Sequence, residues 1–534
     1  SRKNEERSST LATSYRATEK GLSVYYLSTE FLKEAKDAGF TEKSSIYDLE
    51  DLSSPKNGLI RRKGQSVEDP MDGKTGCSYV DCLSGEDNVG PANVMISYSW
   101  AYCIGDIIDT LVDFCKIKNK EPKRTYVWIC CLCVNQHRVV ESSKFSKTSK
   151  GPNDLENFEH FQKVFHSRVT GVDEIISMMF PWDKPVYLSR IWCIFELFTA
   201  KNENCNLFIA MPPKERIKMA ESLATQDGYE ILLKALGGTS IQNASASREE
   251  DKVNILKLVE NGPGFQKLNN DINDLLRDWI KEGILLAVDA VEAQTDNPSE
   301  NIDFGLLVGQ LGVVLDRTDS YDLSLELHKK TLDIFLTVYG EKNHEVASAH
   351  HNVGRALFKN GDYDGALSQY RKVLKIDEEI AGEEHPDTAT SIANVADILK
   401  AQNKIEEAEE ETKRALNIRL KALGSHPDTA RSHSQLGLLF HQKEMYDEAI
   451  IEHKKALAMC LEHLGEHHPE TATIYHNTGG ALVEKADYGN AMLNFEKALV
   501  TYDYLLGSDH SKTQHTVAWI ETCKNAMDEQ ITSE

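Results

Sequence analysis

A phrase returns five times in the C-terminal part of this chain with a step of 41 or 42 residues: Tyr321-Asp322, Tyr363-Asp364, Ile405-Glu406, Tyr446-Asp447 and Tyr488-Gly489. Three places after each opening stands a small residue, Ser324, Ala366, Ala408, Ala449 or Ala491. A fixed period of this size predicts stacked helix pairs and excludes one compact core. Stacking builds a long concave surface, so binding another chain is the expected use of this half.

Three further columns recur at the same step. The glycines Gly340, Gly382, Gly424, Gly465 and Gly507 close the second helix of each pair, because glycine takes the left-handed conformation without steric cost. His385-Pro386, His426-Pro427 and His468-Pro469 follow in the middle repeats, each with an acid next; proline suits a first helical turn and the acid complements the helix dipole. Histidines one repeat apart are too distant to share a metal ion, so this column is read as helix punctuation and no metal site is expected.

The column Gln310, Asn352, Asn394, Gln435 and Asn477 holds one register of the first helix. An unsatisfied buried carboxamide costs about 1–3 kcal/mol, so five of them are not core. They face solvent, bond neighbouring helices, or present paired donor and acceptor groups to the main chain of an extended peptide. A further column, Lys330, Lys372, Arg414, Lys455 and Lys497, places one cation in each second helix, which fits either neighbouring acids or an acidic partner. Both columns are candidate peptide-binding residues.

Tyr446-Asp-Glu-Ala449, the phrases Lys413-Arg-Ala-Leu416 and Lys454-Lys-Ala-Leu457, and the Gly to His-Pro-Asp/Glu connector resemble the tetratricopeptide repeats of kinesin light chains over about residues 301–523. The resemblance implies an all-α solenoid with an asparagine-lined groove for partner peptides. Kinesin light chains carry a heptad coiled coil ahead of the repeats, and none is readable here.

Ahead of the repeats, short apolar runs alternate with helical periodicity. Strands are expected at Val94–Ser97, Tyr126–Cys131, Glu174–Met179 and Leu207–Met211, with helices at Gly105–Ile117, Leu155–Phe165 and Tyr187–Ala200. This order predicts a parallel sheet covered by helices. A helical tail is expected over Glu215–Leu223, Glu249–Glu260 and Leu268–Glu282. The resulting division is an N-terminal extension at 1–90, partly disordered and with a short helix from Leu22, then an α/β domain at 91–285, a linker at 286–300 and the solenoid at 301–534.

Val94-Met-Ile-Ser-Tyr-Ser-Trp100, Tyr126-Val-Trp-Ile-Cys-Cys-Leu-Cys-Val-Asn-Gln-His137 and Ser189-Arg-Ile-Trp-Cys-Ile-Phe-Glu-Leu197 resemble, in order, the first strand, second strand and a conserved helix of Toll/interleukin receptor (TIR) domains. Domains of that family serve as assembly modules, and some cleave NAD at the nicotinamide–ribose bond. The resemblance makes Glu196 the matching catalytic position, with Ser97, Ser99, Trp100 and Trp192 as candidate NAD-binding residues. Otherwise Glu196 is a partly exposed acid at a helix contact. Cys130 stands where the family often has an acid, and a polar insertion follows at Arg138–Asp154. On a strand, Cys131 and Cys133 would share one face and Cys130 the other, which favours a buried strand of small thiols over a zinc site.

A formal net charge of −24 would repel a phosphate backbone, so nucleic acid is not an expected partner. No apolar run approaches the roughly 20 residues of a spanning helix. Nine of the eleven cysteines fall between Cys77 and Cys205 in an ordinary-looking α/β sequence, which fits reduced thiols and a cytoplasmic location. The first residue is Ser1, which leaves room for an upstream targeting segment. These readings converge on a protein–protein adaptor that binds extended peptides in its repeats and uses the α/β domain for assembly or signalling, without a cofactor. The alternative is an NAD glycohydrolase regulated by its repeats, with NAD as substrate.

Overall fold

The computed structural model of the chain describes residues 19–50, 58–70, 72–134, 136–137, 166–225, 227–228, 230–232, 244–245, 249–508 and 510–533. They form two units, divided between Gln294 and Thr295. The helix expected at 155–165, the insertion at 138–154 and the first dozen residues lie outside the described residues.

The front unit is built on a six-stranded sheet: β1 (Lys20–Ser23), β2 (Val89–Pro91), β3 (Val94–Ser97), β4 (Tyr126–Trp128), β5 (Glu174–Met178) and β6 (Leu207–Ala210), in the spatial order β2-β1-β4-β3-β5-β6. The last four pair in parallel, as expected, but β1 is antiparallel to both β2 and β4, so the sheet is mixed. Leu22, expected to open a helix, lies in β1 and is fully buried. The segment read as an extension therefore supplies a strand; the helical turns expected from Leu22 begin at Val24 and run to Asp37, and shorter helices follow at Ile46–Glu50 and Leu59–Gly64.

Helix α1 (Ile104–Ile117) connects β3 to β4, burying Ile104, Ile107, Ile108, Leu111 and Phe114 at helical spacing. Helix α2 (Ile191–Asn202) lies between β5 and β6. After it come α3 (Pro213–Leu223), α4 (Glu249–Asn261) and α5 (Phe265–Glu292). Because α5 runs to Glu292, the expected linker begins inside a helix. β4 also stops early, at Trp128, and Cys130–Cys133 form one helical turn. The strand argument about those thiols is thus corrected, although Cys131 and Cys133 are buried as expected. No helix among the described residues is long and apolar enough to cross a membrane.

The second unit is all helical. Its five pairs are α6 (Ile302–Arg317) with α7 (Tyr321–Tyr339), α8 (His344–Lys359) with α9 (Tyr363–Ile380), α10 (Pro386–Ala401) with α11 (Ile405–Leu423), α12 (Pro427–Gln442) with α13 (Tyr446–His463), and α14 (Pro469–Glu484) with α15 (Tyr488–Leu506). A last helix, α16 (Ser511–Ser533), packs on α15. Ser324, Ala366, Ala408, Ala449 and Ala491 are all 0% exposed, which fixes why that register stays small: nothing larger fits between the helices of a pair.

The acid of the recurring phrase has a use that its spacing did not reveal. Asp322 accepts from Asn360 Nδ2 at 2.8 Å and Asp364 from Gln402 Nε2 at 2.8 Å, while Asp447 pairs with Lys485. Each bond ties the start of a second helix to the end of the next repeat's first helix. His385, His426 and His468 cap α10, α12 and α14, each ring Nδ1 accepting the backbone N–H two residues on at 3.2 Å. The closing glycines all have positive φ, from 61° at Gly424 to 98° at Gly382.

Candidate functional site

The carboxamide column lies along α6, α8, α10, α12 and α14. None of the five is buried: Gln310 is exposed and the other four are half-buried. Gln435 donates from Nε2 to Asp397 Oδ2 on α10 at 2.9 Å and so ties two successive first helices together. The side-chain amides of Asn352, Asn394 and Asn477 form no hydrogen bond with any described residue. One turn from Asn352, Arg355 reaches Asp316 of α6 at 2.5 Å, and Asp316 also bonds the buried His328 at 3.1 Å. The first-helix face thus carries a fixed salt-bridged network at its N-terminal end and uncommitted amides beyond it.

The cation column is largely engaged inside the solenoid. Lys330 sits 5.5 Å from the centre of the Phe304 ring, and Arg414 pairs with Glu378 at 2.7 Å. Lys455 pairs with Glu452 at 2.7 Å, and Lys497 lies 3.8 Å from Glu466 and over the Tyr475 ring. Lys372 makes no ion pair with a described residue and lines a cleft of ≈310 Å³ with His350, Lys342 and Lys375.

In the front unit the parallel strands taken in chain order are β3, β4, β5 and β6, and in space β3 lies between β4 and β5. The order reverses at β3/β5, the switch point where open α/β sheets bind ligands beyond the strand C-termini. Ser97 ends β3 there, and its hydroxyl donates to Glu196 of α2. Ser97 Oγ also lies 2.8 Å from Tyr187 Oη, which donates to the Cys193 carbonyl at 2.9 Å. Glu196 is only 9% exposed, so it is not the partly exposed acid of the alternative reading. Burial pushes its carboxyl up to about 7, against the lowering effects of the Ser97 hydroxyl and the Arg190 charge.

The other candidate residues divide around this centre. Trp100 Nε1 points to Cys130 Sγ at 3.4 Å, and its ring meets Tyr47 edge-on at 5.7 Å. Ser99 is buried and accepts from the Ala101 N–H at 3.3 Å, closing its own turn. Trp192 packs edge-on to Phe195. Three residues at this site escaped the sequence reading: Tyr187, Arg190 and Tyr47, whose hydroxyl accepts from Arg190 Nη1 at 3.0 Å. Arg190 lies inside the quoted helix motif and Tyr187 two residues ahead of it, so both were within reach; Tyr47 lies in the segment set aside as an extension.

Cys77 and Cys82 bring their sulfurs to 3.2 Å, and burial pushes the Cys77 thiol up to about 12. Among the described residues, no three His, Cys, Asp or Glu side chains are placed to share a metal ion.

A tetratricopeptide-repeat family model matches residues 305–379, 345–421, 405–462 and 428–502. Over residues 305–502 the chain thus matches the tetratricopeptide repeat. No family match or structural neighbour supports a TIR assignment for the front unit, which stands as an α/β unit with a mixed sheet. Among solved structures, BtubC (BKLC) from P. vanneervenii is similar over 41% of this chain and 87% of its own, at 21% identity and a TM-score of 0.35. Nearly identical TPR-like repeats of a Podosopora anserina kinesin light chain candidate are similar over 40% of this chain and 99% of theirs, at 19% identity and a TM-score of 0.34. No curated protein matches the chain.

Proposed function

We propose that this protein is an adaptor that holds extended peptide segments of partner proteins along the first-helix face of its tetratricopeptide repeats. The observation that carries the reading is the set Asn352, Asn394 and Asn477: half-buried amides at one register, with neither donor nor acceptor committed inside the solenoid. A carboxamide in that state hydrogen-bonds a strand's C=O and N–H together. The front unit then serves assembly or signalling, in keeping with the TIR resemblance.

Peptides selected from a random library on the full-length chain provide the test. Replacing Asn352, Asn394 and Asn477 by Ala should weaken the best binders about tenfold or more, at about 1 kcal/mol per lost hydrogen bond, with the melting temperature unchanged. Gln435→Ala, whose amide already holds Asp397, should instead lower stability and leave affinity nearly intact. Equal affinity of the triple variant and the parent would overturn the peptide ladder.

A second reading rests on Glu196 at the β3/β5 switch point. In it the front unit cleaves NAD, with Glu196 steadying the ribose in an oxocarbenium-like transition state and Trp100 or Trp192 against a ring of the substrate. Ser97 and Ser99 would line the same edge. Nicotinamide release that disappears in Glu196→Gln would favour this enzyme over the adaptor; no release, alone or on self-assembly, would exclude it.

A further inference from the structure

All eleven cysteines are free thiols, but their sulfurs meet different neighbours. In the front unit Cys131 accepts from the Tyr98 hydroxyl at 3.0 Å and Cys130 from Trp100 Nε1, while Cys193 and Cys205 turn toward backbone carbonyls. Cys77 and Cys82 alone among the described residues meet sulfur to sulfur, at 3.2 Å, inside ordinary van der Waals contact. Both also lie against one acceptor, the Ser78 carbonyl, at 3.3 and 3.4 Å, which keeps the two side chains facing each other. A disulfide needs about 2.05 Å, so side-chain rotations that bring the sulfurs roughly 1 Å closer would close the bond. Among the described residues no third ligand is placed to turn the pair into a metal site, which leaves disulfide formation as the chemistry the two thiols share.

The pair brackets a turn that fastens the edge of the sheet. Ser78, Tyr79, Val80 and Asp81 run between the two cysteines, and Val80–Cys82 form a 3₁₀ turn packed on β1. Asp81 pairs with Lys20 of β1 at 3.3 Å, and the buried Tyr79 donates to Glu34 at 2.6 Å and lies 3.2 Å from the Tyr26 hydroxyl. The two thiols are not equivalent. Cys77 is 2% exposed, whereas Cys82 is half-buried. Burial raises both, but at Cys82 the hydrogen bond with Cys77 and the Lys63 charge work against it, while Asp81 and Glu34 reinforce it. We propose that Cys77 and Cys82 form a redox-active dithiol whose reversible disulfide clamps this turn onto β1. Cys82, its proton released to water, attacks one sulfur of a small-molecule disulfide such as oxidised glutathione and expels one thiolate. Cys77, deprotonated in turn, attacks Cys82 Sγ and expels the second. The protein pair loses two electrons and two protons, and the oxidant becomes two thiols. The dithiol shares no residue with the amide column or the surroundings of Glu196, so it stands whichever of the two readings of function holds.

Glutathione buffers of rising oxidised fraction, applied to the full-length chain, provide the test, with free thiols blocked and the protected ones mapped by fragment mass spectrometry. Cys77 and Cys82 should become protected together, with the loss of two hydrogens and no retained glutathione, and dithiothreitol should restore both. Because a raised thiol must lose its proton before it attacks, the rate should climb about tenfold per pH unit above neutrality. Hydrogen exchange in β1 should slow in the oxidised form and recover on reduction. Cys82→Ser, a small change at a half-buried position, should leave Cys77 reduced throughout. In Cys77→Ser the first step should still run and leave one glutathione on Cys82. Two thiols that stay open at the oxidising limit, a lasting glutathione on Cys82 of the parent, oxidation of Cys77 in Cys82→Ser, or an oxidised form whose β1 exchanges as before would each overturn the proposal.

Discussion

The two units hold their polar contacts over different lengths of chain. In the solenoid, bonds between repeats reach across one period: Arg355 to Asp316 spans 39 residues and Lys485 to Asp447 spans 38. In the front unit Ser97 meets Glu196 across 99 residues and Arg190 meets Tyr47 across 143. A stack of near-neighbour contacts loses stability locally, whereas a sheet closed by distant strands fails as a whole. The difference also decides where a ligand site can hide. A ladder in the repeats is visible as a column, but the surroundings of Glu196 are assembled from segments that have no sequence relation to one another.

The sharpest way to break this comparison is at β1, which pairs with both β2 and β4. Leu22→Ala removes a fully buried side chain from a strand interior and should cost about 2–5 kcal/mol. Hydrogen exchange should then accelerate across the whole front-unit sheet while α8 to α15 keep their protection. Protection lost equally in both units would show that they fold as one body, and loss confined to β1 would show that the sheet does not depend on its N-terminal strand.

Glu196 supplies a smaller, pH-dependent version of the same test. An acid whose carboxyl is raised to about 7 in the folded state binds more protons folded than unfolded above its ordinary value near 4.5. Its contribution is therefore full below about pH 4.5 and falls as pH rises toward 7. Glu196→Gln removes that dependence, so denaturant titrations should show the variant gaining on the parent across this window, by on the order of 2–3 kcal/mol at its upper end. A constant difference between the two proteins would mean that Glu196 is ionised and solvated in the native state.

Much of the solenoid was legible because five copies average out local accidents. The small column, the closing glycines and the proline starts are backbone and packing requirements, and each repeat imposes them again. What the columns did not disclose was direction: the acid after Tyr363 looks like a dipole charge, yet it reaches Gln402 in the next repeat. Arg419 was equally silent. It is 1% exposed and bonds Ser432 and Thr390 in the helices on either side, a stitch that occurs in one repeat and leaves no period. In the front unit the parallel strands were readable from apolar runs such as Val94–Ser97, buried throughout. β1 was not, because its four residues run straight into a helix whose periodicity masks them, and only pairing with β2 and β4 makes them a strand.

The smallest effect lies in a column that sequence alone did not mark at all. The turn inside each repeat places one residue in the left-handed region: Asp319 at φ 56°, Gly361 at 82°, Asn403 at 61°, Glu444 at 60° and Ala486 at 59°. Aspartate, asparagine and glycine tolerate that conformation, whereas a β-carbon without a local hydrogen bond costs about 1–2 kcal/mol there. Ala486→Gly and Glu444→Gly recover part of it after glycine's greater entropy in the unfolded chain is counted, so each should stabilise its repeat by roughly 0.5–1 kcal/mol. Gly361→Ala is the reverse experiment, and because nothing lies within 4 Å of the added carbon, its loss would be conformational alone. Denaturant midpoints that rise for the first two and fall for the third would establish that the five turns share one backbone requirement met by five different residues. Destabilisation by Ala486→Gly would mean that side-chain contacts, and not the turn, set that position.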